Sequence, residues 1–128
     1  MLLFRASESG WAHTVREGET CLITDGPFFQ KLSRGALCMI WSSFHTEEGI
    51  RSYALGAAVS ESGKLAGPWH HDHPLLFKED GGHAMIFTDK DGVRRLTLHQ
   101  PNSGGLERAR MFNLTEEQGE LKIQPAGL

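Results

Sequence analysis

One plan is written twice along this chain. Thr24-Asp25-Gly26-Pro27-Phe28-Phe29 and Gly81-Gly82-His83-Ala84-Met85-Ile86-Phe87 each set a polar, potentially chemical residue beside a glycine and run directly into an apolar stretch. Gly26 and Gly82 stand 56 positions apart (82 − 26 = 56). After each glycine come a strand-like run, a glycine turn (Ser33-Arg34-Gly35, then Lys90-Asp91-Gly92) and a second run, Ala36 to Phe44 and Val93 to His99. A repeat of roughly 50 residues built from short strands is the sequence form of a β-propeller blade. The inner strand of a blade lines the central channel, so Asp25 and His83, each opening such a strand, are expected to converge on one axis.

The rest of the chain agrees with an all-β reading. Strands are expected over 27–32, 36–44, 51–59, 74–77, 83–89, 93–99, 107–114 and near 121–123, with a short one at Leu2-Leu3-Phe4-Arg5. Gly-, Pro- and Asn-containing loops separate them, and no segment repeats apolar residues at helical period. The expected architecture is two four-stranded antiparallel blades. Residues 1–23 are the tail of a preceding blade plus a loop, 24–80 one blade and 81–128 the last. Two blades cannot close a ring, and an apolar sheet face left bare is a liability. Either N-terminal blades outside this chain complete the propeller, or copies associate as a homo-oligomer through faces around Leu55, Ala57, Val59 and Phe87.

Composition narrows the function classes. A charged fraction of 23% with a formal net charge of −3, and scattered basic residues, leave no footprint for nucleic acid. The apolar opening Met1-Leu2-Leu3-Phe4 is too short for a membrane span or a signal peptide, so no membrane partner and a cytoplasmic location are expected. Cys21 and Cys38 lie outside any metal-type spacing and read as reduced thiols.

Longer stretches carry a family resemblance. Thr24 to Phe29, Met39-Ile40-Trp41-Ser42-Ser43-Phe44, Tyr53 to Ala58, Ser60-Glu61-Ser62-Gly63-Lys64-Leu65-Ala66-Gly67-Pro68-Trp69, Asp80-Gly81-Gly82-His83 and Leu98-His99-Gln100-Pro101-Asn102 together resemble the C-terminal part of a family 43 glycoside hydrolase. The family's members are five-bladed propellers acting as β-xylosidases, α-L-arabinofuranosidases, arabinanases or galactosidases. The resemblance runs from about Leu3 to Leu121 and covers the last two blades and the tail of the third. It implies a glycosidase part acting on O-glycosyl bonds of a pentose-containing oligosaccharide or pentoside, a β-xyloside or α-L-arabinofuranoside. Asp25, before Gly26-Pro27, takes the place of the general acid, where the family usually carries Glu. His83 matches a last-blade histidine that helps hold a central cation, commonly calcium, through water. His99, and Arg108 or Arg110, match positions near the sugar. The general base and a second Asp belong to blades that this chain does not contain. An acid and a base stand about 6.5–9.5 Å apart in an inverting enzyme, so the chain alone is expected to be inactive.

The residues also admit plainer readings. Asp before Gly-Pro is good turn chemistry, and His83 could be a structural histidine. Trp41 could stack on a sugar ring or fill the core. His70-His71-Asp72-His73 suggests a metal, but neighbours on a strand point to opposite faces, so a solvated turn is expected. Glu107, Arg108 and Arg110 sit on one strand, where Arg108 and Arg110 share a face. The alternative function is a non-catalytic carbohydrate-binding or self-associating propeller remnant.

Overall fold

The computed structural model describes residues 1–127. Seven strands follow in chain order: β1 (Asp25–Lys31), β2 (Leu37–Glu47), β3 (Ile50–Ser60), β4 (Gly82–Thr88), β5 (Arg94–Gln100), β6 (Arg108–Glu117) and β7 (Glu120–Pro125). They form two antiparallel meanders, β1-β2-β3 and β4-β5-β6-β7. The fourth place in the first sheet is held by isolated bridges, Val59 to His70 and Leu55 to Phe77. Pro68 and Pro74 lie in or beside that segment and lack the N–H a continuous ladder needs. The expected strand at 74–77 is therefore reduced to a bridge.

Alternation along β2 and β3 sorts side chains to two faces. Cys38 and Ile40 with Leu55, Ala57 and Val59 look toward the second sheet. They meet Ala84, Leu96, Leu98, Phe112 and Leu114 in the main core. Burying each larger side chain here contributes roughly 1.5–3 kcal/mol. At the outer rim the β1–β2 turn grips the last hairpin: Ser33 Oγ donates to Glu116 at 2.7 Å, and Arg34 donates to the Gly119 carbonyl. Two sheets tied by a core and by a rim clasp form one rigid platform for whatever their inner ends carry.

Met39, Trp41, Ala54 and Ala58 face the other way and hold the N-terminal segment. Phe4 packs on Trp41 (centroids 5.6 Å apart) and on His71 (4.6 Å). Trp11 lies on Trp41 (4.5 Å) and so close to Gly56 that any Cβ there would come within 2.5 Å of its ring. Backbone ties complete the seam: His45 Nδ1 meets the Trp11 carbonyl at 3.0 Å, and the Thr46 N–H donates to His13 Nδ1. The expected strand at Leu2–Arg5 does not form. That stretch is irregular, followed by one 3₁₀ turn, Ala6–Glu8. Aromatic packing across a sheet face holds it, with no ladder to pair it.

These two cores correct the expected bare faces. Leu55, Ala57 and Val59 are interior, sealed between the sheets, so they cannot serve an interface between copies. The first sheet is covered on both sides. The far face of the second sheet stays open, where Met85 (56% exposed), Phe87 (41%) and Met111 (39%) stand in solvent.

Candidate functional site

The two inner hairpins superpose on a spacing of 57, one more than the glycine-to-glycine spacing suggests. β1 and β4 begin 57 apart (82 − 25 = 57), and so do β2 and β5 (94 − 37 = 57). Each inner strand is bulged at the same place, between Asp25 and Phe28 in one and between Gly82 and Met85 in the other. Asp25 therefore corresponds to Gly82, and Gly26 to His83. Gly26 and His83 share a backbone φ of +53°. Glycine adopts that left-handed conformation freely, whereas any other L-residue loses about 1–2 kcal/mol there. His83 thus sits in a glycine's place.

Its position brings three side chains from both sheets to one spot. The Tyr53 hydroxyl, from β3, donates to Asp25 Oδ2 at 2.6 Å, and the Gly26 N–H donates to Oδ1 at 2.9 Å. His83 Nδ1 lies 3.5 Å from Oδ2, an ion-pair contact longer than a good hydrogen bond. The His83 N–H donates to Ser42 Oγ at 2.8 Å. Both glycines are spacers for this contact. A Cβ on Gly26 would stand 2.8 Å from His83 Cδ2, and one on Gly82 would meet Ser42 Oγ at 2.5 Å and Tyr53 Cε1 at 2.7 Å. The Asp25 and His83 side chains are 46% and 58% exposed, so a solute can reach them.

Electrostatics follow from these donors. The Tyr53 hydrogen bond, chiefly, holds the Asp25 carboxyl below its ordinary range, helped by His83 and by the Gly26 N–H against a partial loss of hydration. Burial, with the Asp25 carboxylate beside it, pushes the Tyr53 phenol well above its usual value. At neutral pH this is a carboxylate beside a protonated phenol. Asp80 braces the group from below. In a left-handed turn of its own (φ +57°), it accepts the Tyr53 N–H on Oδ1 and the Asn102 N–H on Oδ2, each at 3.1 Å.

No family model matches the chain, and no curated protein does. Solved structures do. The chain is 40% identical to an endo-arabinase of Bacteroides thetaiotaomicron VPI-5482, with a TM-score of 0.82 over 92% of this chain and 41% of that one. It is 26% identical to a thermostable family-43 glycoside hydrolase, with a TM-score of 0.60 over 80% and 36% of the two chains. An α-L-arabinanase of Cellvibrio cellulosa, solved with arabinohexaose, shares the fold at 20% identity and a TM-score of 0.59, over 79% and 36%. The chain forms two blades of a family 43 glycoside hydrolase propeller. It spans less than half the length of each of these proteins.

The other expected site residues of the family 43 blades fare differently. Trp41 is fully buried in the N-terminal seam against the rings of Phe4 and Trp11, so it offers no face to a sugar. His99 stands behind the site, tilted against Tyr53 at 5.6 Å with Nε2 buried and unpartnered. Arg108 is exposed where β6 begins, paired in register with Gln100 at the His83 end of the sheet, and donates to the Glu107 carbonyl. Arg110 donates to Gln100 Oε1. Neither arginine hydrogen-bonds to Asp25 or His83.

The His70–His73 run is more structural than a solvated turn. His70 bridges Val59, His73 Nδ1 lies 3.4 Å from Glu120, and His71 packs on Phe4, where burial lowers its pKa. Calcium takes six to eight oxygen ligands. The Asp25 oxygens are engaged by Tyr53 and Gly26, and among the described residues no three His, Cys, Asp or Glu side chains group to hold a metal.

Tyr53 and Asp80 complete the cluster around Asp25, and the sequence reading gave neither a place in it. Tyr53 is the only tyrosine in the chain. A lone phenol within an apolar strand, Tyr53-Ala54-Leu55, was the available signal, since a buried hydroxyl needs a partner.

Proposed function

We propose that the chain supplies one wall of a pentoside-binding site in a family 43 glycosidase, with Asp25 and His83 facing the sugar. The observation that carries this reading is their convergence: two inner strands from separate sheets place a carboxylate and an imidazole 3.5 Å apart on an accessible surface. An ionised carboxylate and an imidazole edge are compact polar partners for sugar hydroxyls. The similarity to an endo-arabinase supports an α-L-arabinofuranoside, with a β-xyloside next. Asp25 is the residue proposed to face the scissile bond and Arg108 to flank the sugar, while His99 supports the site from behind Tyr53.

Hydrolysis by the separate chain is not expected, because the opposing general base would come from other blades. Purified chain assayed on nitrophenyl α-L-arabinofuranoside and β-xyloside should show no turnover. Amide resonances around Asp25 and His83 should shift on adding arabino-oligosaccharide. Turnover lost in Asp25→Ala would overturn the inactivity, and the absence of any sugar-dependent shift would overturn the binding role.

A second reading, a self-associating module, draws on the open apolar stripe of Met85, Phe87 and Met111. Sedimentation should show association at micromolar concentration that Phe87→Lys weakens. A concentration-independent monomer would remove this reading.

A further inference from the structure

The resemblance gives Asp25 the part of a proton donor, but its surroundings suit the opposite chemistry. A carboxyl kept as an acid near neutral pH sits in an apolar pocket or beside another anion. Asp25 instead receives a phenol on one oxygen and a backbone N–H on the other, with an imidazole alongside. Each of these groups interacts more strongly with a carboxylate than with a carboxylic acid.

We propose that Tyr53 is the positioning residue of this site: its hydroxyl pins Asp25 as a fixed acceptor, and the pinned carboxylate draws Nδ1 of His83 inward, leaving Nε2 as the nitrogen offered to a bound sugar. This rests on the site reading above. Tyr53 has little freedom to turn away. Its N–H is held by Asp80, its carbonyl accepts the Gly81 N–H at 2.9 Å, and its ring packs between Phe44 (5.4 Å) and His99 (5.6 Å). It reaches across from the first sheet to the residue whose partner lies in the second. The strained φ of His83 and its N–H bond to Ser42 fix the other end. A phenol that only filled space would not need its hydroxyl aimed at the one carboxylate of the site. Phe at this position would keep the ring and its packing and remove the hydroxyl that reaches Asp25.

The test is the imidazole tautomer and the carboxyl titration of the isotopically labelled chain, read by nitrogen and carbon NMR without any sugar. In the native sequence the neutral His83 ring should carry its proton on Nδ1, and Asp25 should titrate below an ordinary aspartate. Tyr53→Phe should move the Asp25 midpoint upward and shift the ring toward the Nε2–H form favoured by free imidazole. Asp25→Asn, which leaves Tyr53 in place, should change the tautomer population as well. It decides the matter should Tyr53→Phe fail to fold. An unchanged Asp25 midpoint in Tyr53→Phe, or an unchanged His83 tautomer in Asp25→Asn, would overturn the proposal. Arabino-oligosaccharide added afterwards separates the two readings. Coupled titrations with no sugar-dependent shift would leave the clamp standing and remove the sugar site, whereas shifts without coupling would do the reverse.

Discussion

Gly26 and His83 occupy the same place in two hairpins 57 residues apart, share a φ of +53°, and touch: the imidazole lies where a side chain on Gly26 would be. The first blade uses glycine at a position that demands a left-handed backbone. The second puts histidine there and accepts the strain. Strained non-glycine residues of this kind concentrate at functional sites, where the surrounding structure over-determines them. Here the Ser42 bond to the backbone N–H and the Asp25 contact to the ring supply that determination.

His83→Gly should therefore leave stability equal or raise it. Relief of the left-handed conformation is worth about 1–2 kcal/mol, and the looser unfolded chain takes back roughly 0.5–1 kcal/mol. Urea unfolding should show a midpoint unchanged or slightly higher, together with lost sugar-dependent shifts. A loss above about 1 kcal/mol would make His83 a structural residue, beyond the range its strain allows.

Gly26→Ala acts on the same contact from the other side. The added methyl meets a left-handed backbone and an imidazole 2.8 Å away, so something must move. The expected outcome is a loss of about 1–2 kcal/mol, with the His83 ring resonances displaced and those of the intersheet core unchanged. Undisturbed His83 resonances would show that the glycine is not a spacer.

Acid should expose the Asp25 clamp. Its folded pKa is depressed below the ordinary 3.8, so the stability it contributes is present above that value and is lost as pH falls through the lowered one. The group is half exposed, so the effect is small. Asp25→Asn should lose less stability than the native chain between pH 5 and pH 3, measured by urea melts; equal losses would contradict the clamp.

The two thiols should part company. Cys21 is exposed, while burial in the intersheet core pushes the Cys38 thiol up to about 12. At pH 8 a chromogenic disulfide reagent should modify Cys21 at once and Cys38 only as the sheets open, because the thiolate is the reactive form. Simultaneous modification would mean that the core between the sheets is not closed.

The hairpin plan, the approximate places of the seven strands that form, and the meeting of Asp25 with His83 were legible in the chain itself. Period-2 alternation and glycine turns are local properties, and the repeat states how the inner strands relate. Four features were not legible, and each turns on contacts distant in sequence. Which face of β3 is covered depends on where the second sheet and the N-terminal segment pack, so Leu55, Ala57 and Val59 read as an interface between copies and are interior. Trp41 read as a sugar-stacking or a core residue alike, and Phe4 and Trp11, from a stretch with no periodicity, decide it by closing over it. The register of the repeat, 57 and not 56, follows from bulges that let a histidine stand where a glycine stands in the other blade. Tyr53 joined the site for the same reason. Its hydroxyl finds Asp25, 28 positions earlier, only because the chain between them folds into the β1–β2–β3 meander and brings it there. Local pattern decides which elements form; the partners of their side chains are decided by packing.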